Sequence, residues 1–392
     1  MTSTAVGAIG STHQALVDPY GRIDPFDAPW SLDWWVGADD RWHDPAVEPA
    51  VRQTLVDAAP VVRTAMRVPG GDAVQHVYAA GGSDLVVVDV ENQSPAPFVL
   101  ALVVRGAEEL TLDDTRLTID GDASLVTTRA PSRWAVTRDG TTSAAVTSGA
   151  ATEGPFAPIR DRGPHLEAAF LYPAPHRTGL RAALLLDARA SDAPTPPRLP
   201  DPADAARGWA AHLDRGLRLE VADPALMTRV RTALAATLLA ASRRPVTPET
   251  VAALEDWGFD AEAAAAWPTL GWRDRRAAAR RPAVPPRWSD VAASGTDAEL
   301  LVRLRGLLAR DADDGTVMVL TDLAPAWRGH SIDVRDAPTR AGPVSYAVRW
   351  HGRRPALLWE APPGVILRAP GLDPAWTSRA ATGEALLSAA VA

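Results

Sequence analysis

Short apolar runs separated by turn residues fill the stretch 60–187. The runs 61–68, 73–79, 85–90, 98–104, 117–119, 125–128, 134–137, 144–147, 166–172 and 180–186 are β-branched or apolar, and Gly70-Gly71, Gly81-Gly82, Asp120-Gly121-Asp122 and Asp139-Gly140 punctuate them. Strands this short at this spacing predict a two-sheet sandwich. In 61–68 the polar Arg63 and Arg67 alternate imperfectly with Val62, Ala65, Met66 and Val68, which fits a large antiparallel sandwich with one solvated face better than a parallel sheet.

Beyond residue 200 the period lengthens. Asp201-Pro202, Asp223-Pro224 and Thr247-Pro248 each put a capping residue before a proline, which suits the first helical position because its missing N–H is not needed there. Leu226, Val230, Leu234 and Leu238 recur every four residues as one buried stripe, and Gly258 is a good stop for the next helix. Thr296-Asp297-Ala298-Glu299 is a capping box, followed by Leu300, Leu301, Leu304, Leu307 and Leu308 on one face. Strands return at 316–321, 331–335, 344–350, 355–359 and 365–368 as a small antiparallel unit, with 351–354 as a hairpin loop. The predicted fold class is multidomain β + α. Its parts are an N-terminal antiparallel β sandwich (1–190), a proline-rich linker (191–202), a helical region (203–310) and a small C-terminal β domain (311–392).

Composition narrows the chemistry. The 392 residues are 46% hydrophobic, with 35 prolines and 28 glycines but no collagen period, so the chain is turn-rich and folded. There is no cysteine and no lysine; all 40 basic residues are arginine. These absences remove disulfides, thiol nucleophiles, cysteine-ligated metals, Schiff bases and the Walker A lysine. A net charge of −8 without a basic stripe argues against nucleic acid, and apolar runs such as 95–104 and 232–241 are too short to span a bilayer. Residues 1–14 have neither a basic n-region nor an apolar h-region, so a cytoplasmic location is expected. No phosphate-binding glycine motif occurs, and the histidines lack metal spacing, so neither cofactor nor metal is expected.

Tryptophan is the compositional anomaly: 14, against 4 Tyr and 5 Phe. Trp30, Trp34, Trp35 and Trp42 lie in one opening segment with Asp33, Asp39, Asp40, His43 and Asp44. Aromatic faces stack on the C–H faces of sugars while carboxylates accept hydroxyl protons, so Trp34, Trp35, Trp42, Asp33 and His43 are the candidate ligand-binding residues. Each tryptophan taken singly reads first as core, and it is the acids beside the cluster that turn the segment as a whole toward a functional rim. Glu255 and Asp256 end a helix, where negative charge opposes the helix dipole. A solvated helix end is the first reading of them, and a catalytic role the second. With Asp39 and Asp40 they are the candidate acids of a glycosidase pair, which must come from two different elements.

Two stretches resemble a known group. VVRTAMRVPGGDAVQHVYAAGGSDLVVVDVENQSPAPFVLALVVR (61–105) is similar to the supersandwich strands of glucoamylase-like glycosidases and the related disaccharide phosphorylases. APTRAGPVSYAVRWHGRRPALLWE (337–360) is similar to their closing β domain. The resemblance implies a β supersandwich, linker helices, an (α/α)6 barrel and a C-terminal β domain. Twelve barrel helices need roughly 250 residues, so the barrel in this chain is a strongly reduced one. No segment matches the barrel's catalytic motif, and no catalytic residue is carried over. Two functions remain open: a glycosidase- or phosphorylase-type protein acting on or binding a small glucoside or oligosaccharide, and a non-catalytic glycan-binding or structural module built on that scaffold.

Overall fold

The computed structural model describes residues 3–80, 84–161, 163, 165–187, 196–279 and 284–388, so the Gly81-Gly82 turn signal and the first part of the linker lie outside the described residues. The chain divides into two compact units, Met1–Trp209 and Ala210–Ala392.

The described residues of the first unit form seventeen strands. Its opening segment carries β1 (Thr4–Gly7), β2 (Gln14–Val17), β3 (Ile23–Pro25), β4 (Ser31–Gly37), β5 (Trp42–His43) and β6 (Val51–Leu55). The long central strands follow: β7 (Val61–Val68), β8 (Gly71–Ala79), β9 (Leu85–Asn92) and β10 (Phe98–Ala107). Then come β11 (Glu109–Asp113), β12 (Arg116–Ile119), β13 (Ala123–Thr127), β14 (Arg133–Thr137), β15 (Ile159–Arg160), β16 (Leu166–Ala174) and β17 (Gly179–Leu185). They form an eight-stranded sheet, β1-β2-β3-β4-β10-β16-β14 with β5 beside β4, and a nine-stranded sheet, β15-β11-β12-β13-β17-β9-β8-β7-β6. The sandwich predicted from alternation is present, and its core is built from both sheets: Leu32, Trp34, Leu100, Leu102 and Phe170 of the first meet Val62, Met66, Val77, Val88 and Leu184 of the second.

One expected strand is a helix. Residues 144–147 lie in α1 (Thr142–Thr147), because the alanine pair after the Asp139-Gly140 turn favours helix, and Val146 is buried against the outer face of the first sheet rather than in a ladder. The first six strands were not anticipated, since they are short and interrupted by Pro, Gly and Asp.

In the second unit the helical signals hold. α2 (Pro202–Leu213) crosses the unit boundary and is followed by α3 (Pro224–Ala240), α4 (Pro248–Asp256), α5 (Asp260–Ala266), α6 (Trp272–Ala278), α7 (Trp288–Ala292) and α8 (Asp297–Leu308). Asp223 accepts from Leu226 N at 2.9 Å, Thr247 from Thr250 N at 3.2 Å and Thr296 from Glu299 N at 3.2 Å, while the return bond of the Glu299 carboxylate goes to Gly295 N at 2.7 Å. The predicted stripe Leu226, Val230, Leu234, Leu238 is buried, and α8 buries its five leucines. Trp257 is buried and donates to Leu301 O at 2.9 Å, tying the end of α4 to α8.

Helices and strands interleave there. β18 (Arg218–Val221), a four-residue strand inside the helical stretch, pairs with β21 (Ile332–Ala337) in the sheet β18-β21-β22-β23-β26, where β22 is Val344–His351, β23 Arg354–Glu360 and β26 Thr382–Leu386. A second sheet orders β19 (Ala309–Asp311), β20 (Thr316–Val319), β24 (Ile366–Ala369) and β25 (Asp373–Ser378). The β20–β24 pair is parallel, so the C-terminal strands are not wholly antiparallel. The fold class is therefore a β sandwich followed by a small helical region and further β-sheets.

Candidate functional site: a gap along one strand of the sandwich

The acidic tryptophan segment folds into β4 and β5, and a break in pairing there makes a pocket. One edge of β4 is paired with β10 from Ser31↔Arg105 to Gly37↔Val99. On its other edge β3 meets it only at Leu32, and β5 only at Val36 and Gly37. The middle of β4, Asp33 to Trp35, has no ladder on that side, because β3 leaves too early and β5 arrives too late. A pocket of about 300 Å3 occupies the gap, lined by Asp18, Tyr20 and Arg22 of the β2–β3 turn, Asp33 and Trp34 of β4, Asp44 after β5, and Arg105 of β10.

Local chemistry shapes the rim. Asp18 accepts from the backbone N–H groups of Tyr20 at 2.8 Å and Arg22 at 2.9 Å, an aspartate-centred turn. Gly21 has φ +90°, and a Cβ there would lie 2.2 Å from Gln75 Oε1 and 2.8 Å from Trp34 Nε1. Only glycine fits. Trp34 donates to Tyr20 O at 3.1 Å, and Gln53 donates to Asp18 O at 2.6 Å, so core and second sheet both brace the turn. Tyr20, which also lines the pocket, remains 41% exposed.

The floor is electrostatic. Arg105 donates through Nε to Asp33 at 2.6 Å and through a terminal nitrogen to Glu167, with its guanidinium 5.2 Å from the Trp35 ring centroid. Arg105 and Glu167 face one another across β10 and β16, just before Gly106 (φ +80°) shifts the register. Burial of Asp33 outweighs the hydrogen bond and charge of Arg105, pushing its carboxyl up to about 6. Glu167 is buried, and its Oε2 has no hydrogen-bond partner among the described residues.

The sequence candidates are distributed unequally. Asp33 and Trp34 line the pocket, but the three tryptophans do not make one platform. Trp34 is 1% exposed and belongs to the core between the sheets, whereas Trp35 is 4% exposed and packs with Ala101, Val103 and Ala169 on the opposite face. Neighbours on a strand point opposite ways, and the strand was not recognised in the sequence. Trp42 is half-buried against that outer cluster, over Gly37, where a Cβ would approach its ring to 2.9 Å.

His43 is buried, with Nε2 2.9 Å from Asp40 and Nδ1 3.0 Å from Glu48. Glu48 also pairs with Arg41, and that bond, ahead of its contact with His43, holds its carboxyl below the usual range. The hydrogen bond with His43 lowers Asp40 likewise, and Asp39 is exposed beside it. This histidine therefore sits in a structural ion-pair knot rather than in the pocket lining.

Glu255 and Asp256 belong to the second unit, Asp39 and Asp40 to the first. Glu255 accepts from Trp267 Nε1 at 2.5 Å. Both acids at the end of α4 line a separate cavity of about 330 Å3, together with Arg303, Arg305, Arg310 and Asp311. Sequence reading missed Tyr20, Arg22, Arg105 and Glu167. The Asp18-Pro19-Tyr20-Gly21 turn signature was available in the sequence, but the last two residues reach the site only through strand register.

No protein-family model matches this chain, and no curated protein matches it. Among solved structures it is similar to a bacterial glucoamylase complexed with acarbose, at 8% identity and a TM-score of 0.48, covering 68% of this chain and 49% of that one. It is also similar to the GH92 family glycosyl hydrolase CcMan5, at 12% identity and a TM-score of 0.37, covering 63% and 40%. A third is a GH92 α-mannosidase from Bacteroides thetaiotaomicron, at 10% identity and a TM-score of 0.27, covering 63% and 39%. The chain spans about half, or less, of the length of each. No helix among the described residues is long and apolar enough to cross a membrane.

Proposed function

We propose that the protein binds a small neutral carbohydrate in the β4 gap, without hydrolysing it there. The observation that carries this reading is the lining: three carboxylates and two guanidiniums set beside an exposed tyrosine ring in a pocket of about 300 Å3. Opposed charges nearly cancel, which disfavours a free anion or a bare cation. Hydroxyl groups both donate and accept, so a polyol can use carboxylate acceptors and guanidinium donors together. The volume is at the lower end of the range for small-molecule sites, which suits one or two sugar rings.

Absence of hydrolysis in this pocket rests on the commitments of the acids. Hydrolysis needs a free carboxylic acid and a second carboxylate facing it across the bond. Asp33 is held by Arg105, Asp18 by the turn it caps, and Asp44 accepts from the backbone N–H of Ala46 at 2.9 Å. The cavity lined by Glu255, Asp256 and Asp311 supports a second, catalytic reading on the second unit.

Calorimetric titration of the full chain with neutral mono- and disaccharides tests the binding reading. Saturable binding that Tyr20→Ala and Asp33→Asn each weaken at least about tenfold, roughly 1.4 kcal/mol, supports it. The absence of saturation up to about 10 mM, a threshold near 3 kcal/mol of binding free energy, overturns it.

A further inference from the structure

At the other end of β2, three residues distant in sequence converge. β9 and β17 are antiparallel neighbours ending in the pair Leu85↔Leu185, and Leu186 N donates to Asp84 O at 3.0 Å. That register brings Asp84 and Asp187 to one end of the ladder. His13, in the β1–β2 connection of the other sheet, places Nδ1 3.0 Å from Asp84 Oδ2. One ligand atom from each of the three lies within 4.8 Å of the others. Ser11 donates to the remaining oxygen of Asp84 and fixes its orientation, as outer hydrogen bonds do for metal ligands.

Among the described residues, the charged groups beside the cluster are mainly acidic. A cavity of about 390 Å3 adjoins the cluster, lined by His13 and by the carboxylates of Asp27, Asp120, Asp122 and Asp187. All 40 basic residues of the chain are arginine, yet none is among the described residues that line it. The other two cavities described above mix arginines with their acids.

The geometry points to a divalent-cation site made by His13, Asp84 and Asp187, open toward the acidic cavity. One imidazole nitrogen with two carboxylate oxygens suits zinc or manganese, whereas calcium and magnesium favour all-oxygen shells. Three protein ligands leave coordination positions for water or for an oxygen of a ligand in the cavity. Sequence spacing gave no sign of a metal, because 71 residues separate His13 from Asp84 and Asp187 follows yet another strand, β17. The proposal is independent of the carbohydrate pocket.

The test uses the full chain, stripped with EDTA and titrated with zinc or manganese chloride by calorimetry, with the imidazoles ¹⁵N-labelled. The expected result is one ion per chain, a Tm that rises with metal concentration, and a shift of the His13 Nδ1 resonance. His13→Ala and Asp84→Asn each weaken binding by more than about tenfold, while His351→Ala in the second unit leaves it unchanged. The His13 resonance needs no variant to fold. An unmoved His13 signal at saturating metal, no saturable uptake, or uptake that survives both substitutions overturns the proposal.

Discussion

Asp33 gives the sharpest energetic prediction. Its carboxyl sits at about 6 instead of 3.8, with burial the largest cause and Arg105 opposing it. The folded chain therefore holds the Asp33 proton to higher pH than the unfolded chain. Between about pH 4 and pH 6 folding takes up this proton, so stability falls as pH rises through that window and is level above it. The full effect is about 3 kcal/mol, of which about 2 kcal/mol develops between pH 4 and pH 7. Asp33→Asn has no such proton to lose and keeps an oxygen for Arg105. Measured against wild type in urea, the variant should gain about 2 kcal/mol in relative stability on going from pH 4 to pH 7, about 4–8 °C in Tm for a unit of this size. A gap constant over that range, or one moving the other way, would refute the claim that burial prevails over Arg105.

Three further substitutions test the gap and, separately, the helical region. Gly21→Ala forces a Cβ against Gln75 and Trp34 at positive φ and should destabilise by about 1–3 kcal/mol in urea melts. Trp34→Ala should lose about 3–5 kcal/mol, because the ring is core, whereas a surface sugar platform would leave Tm nearly unchanged. Asp223→Ala removes the N-cap of α3 and should lower stability by about 1 kcal/mol by the same assay, with no effect on carbohydrate titrations.

Much of the scaffold was legible because its long elements repeat one pattern. β7 to β10, β16 and β17 announce themselves by runs of valine and leucine, and α3 and α8 by four-residue stripes with caps. Residues 144–147 misled because Val146 and Thr147 suggest a strand while the alanines before them favour helix, and packing of Val146 decided the matter. β18 escaped notice as four residues between helices, laddered to a partner more than a hundred positions away. The site divides similarly. Asp33 and Trp34 were visible in the density of acids and tryptophans, but the orientation of Trp35 depends on a strand hidden by Pro29 and Gly37. Arg105 and Glu167 join through a ladder that no local pattern specifies.

A neutral sugar seated in the gap along β4 must lie against Trp34 and the Tyr20 turn, and NMR can locate it there. With ¹⁵N-labelled indoles and backbone in the full chain, saccharide titration should move the Trp34 indole and the Tyr20, Gly21 and Arg22 amides saturably, and leave the Trp257 indole of the second unit still. Saturable shifts confined to residues around Glu255 and Asp256, with Trp34 and Tyr20 unmoved, would contradict the account and put the carbohydrate site in the second unit.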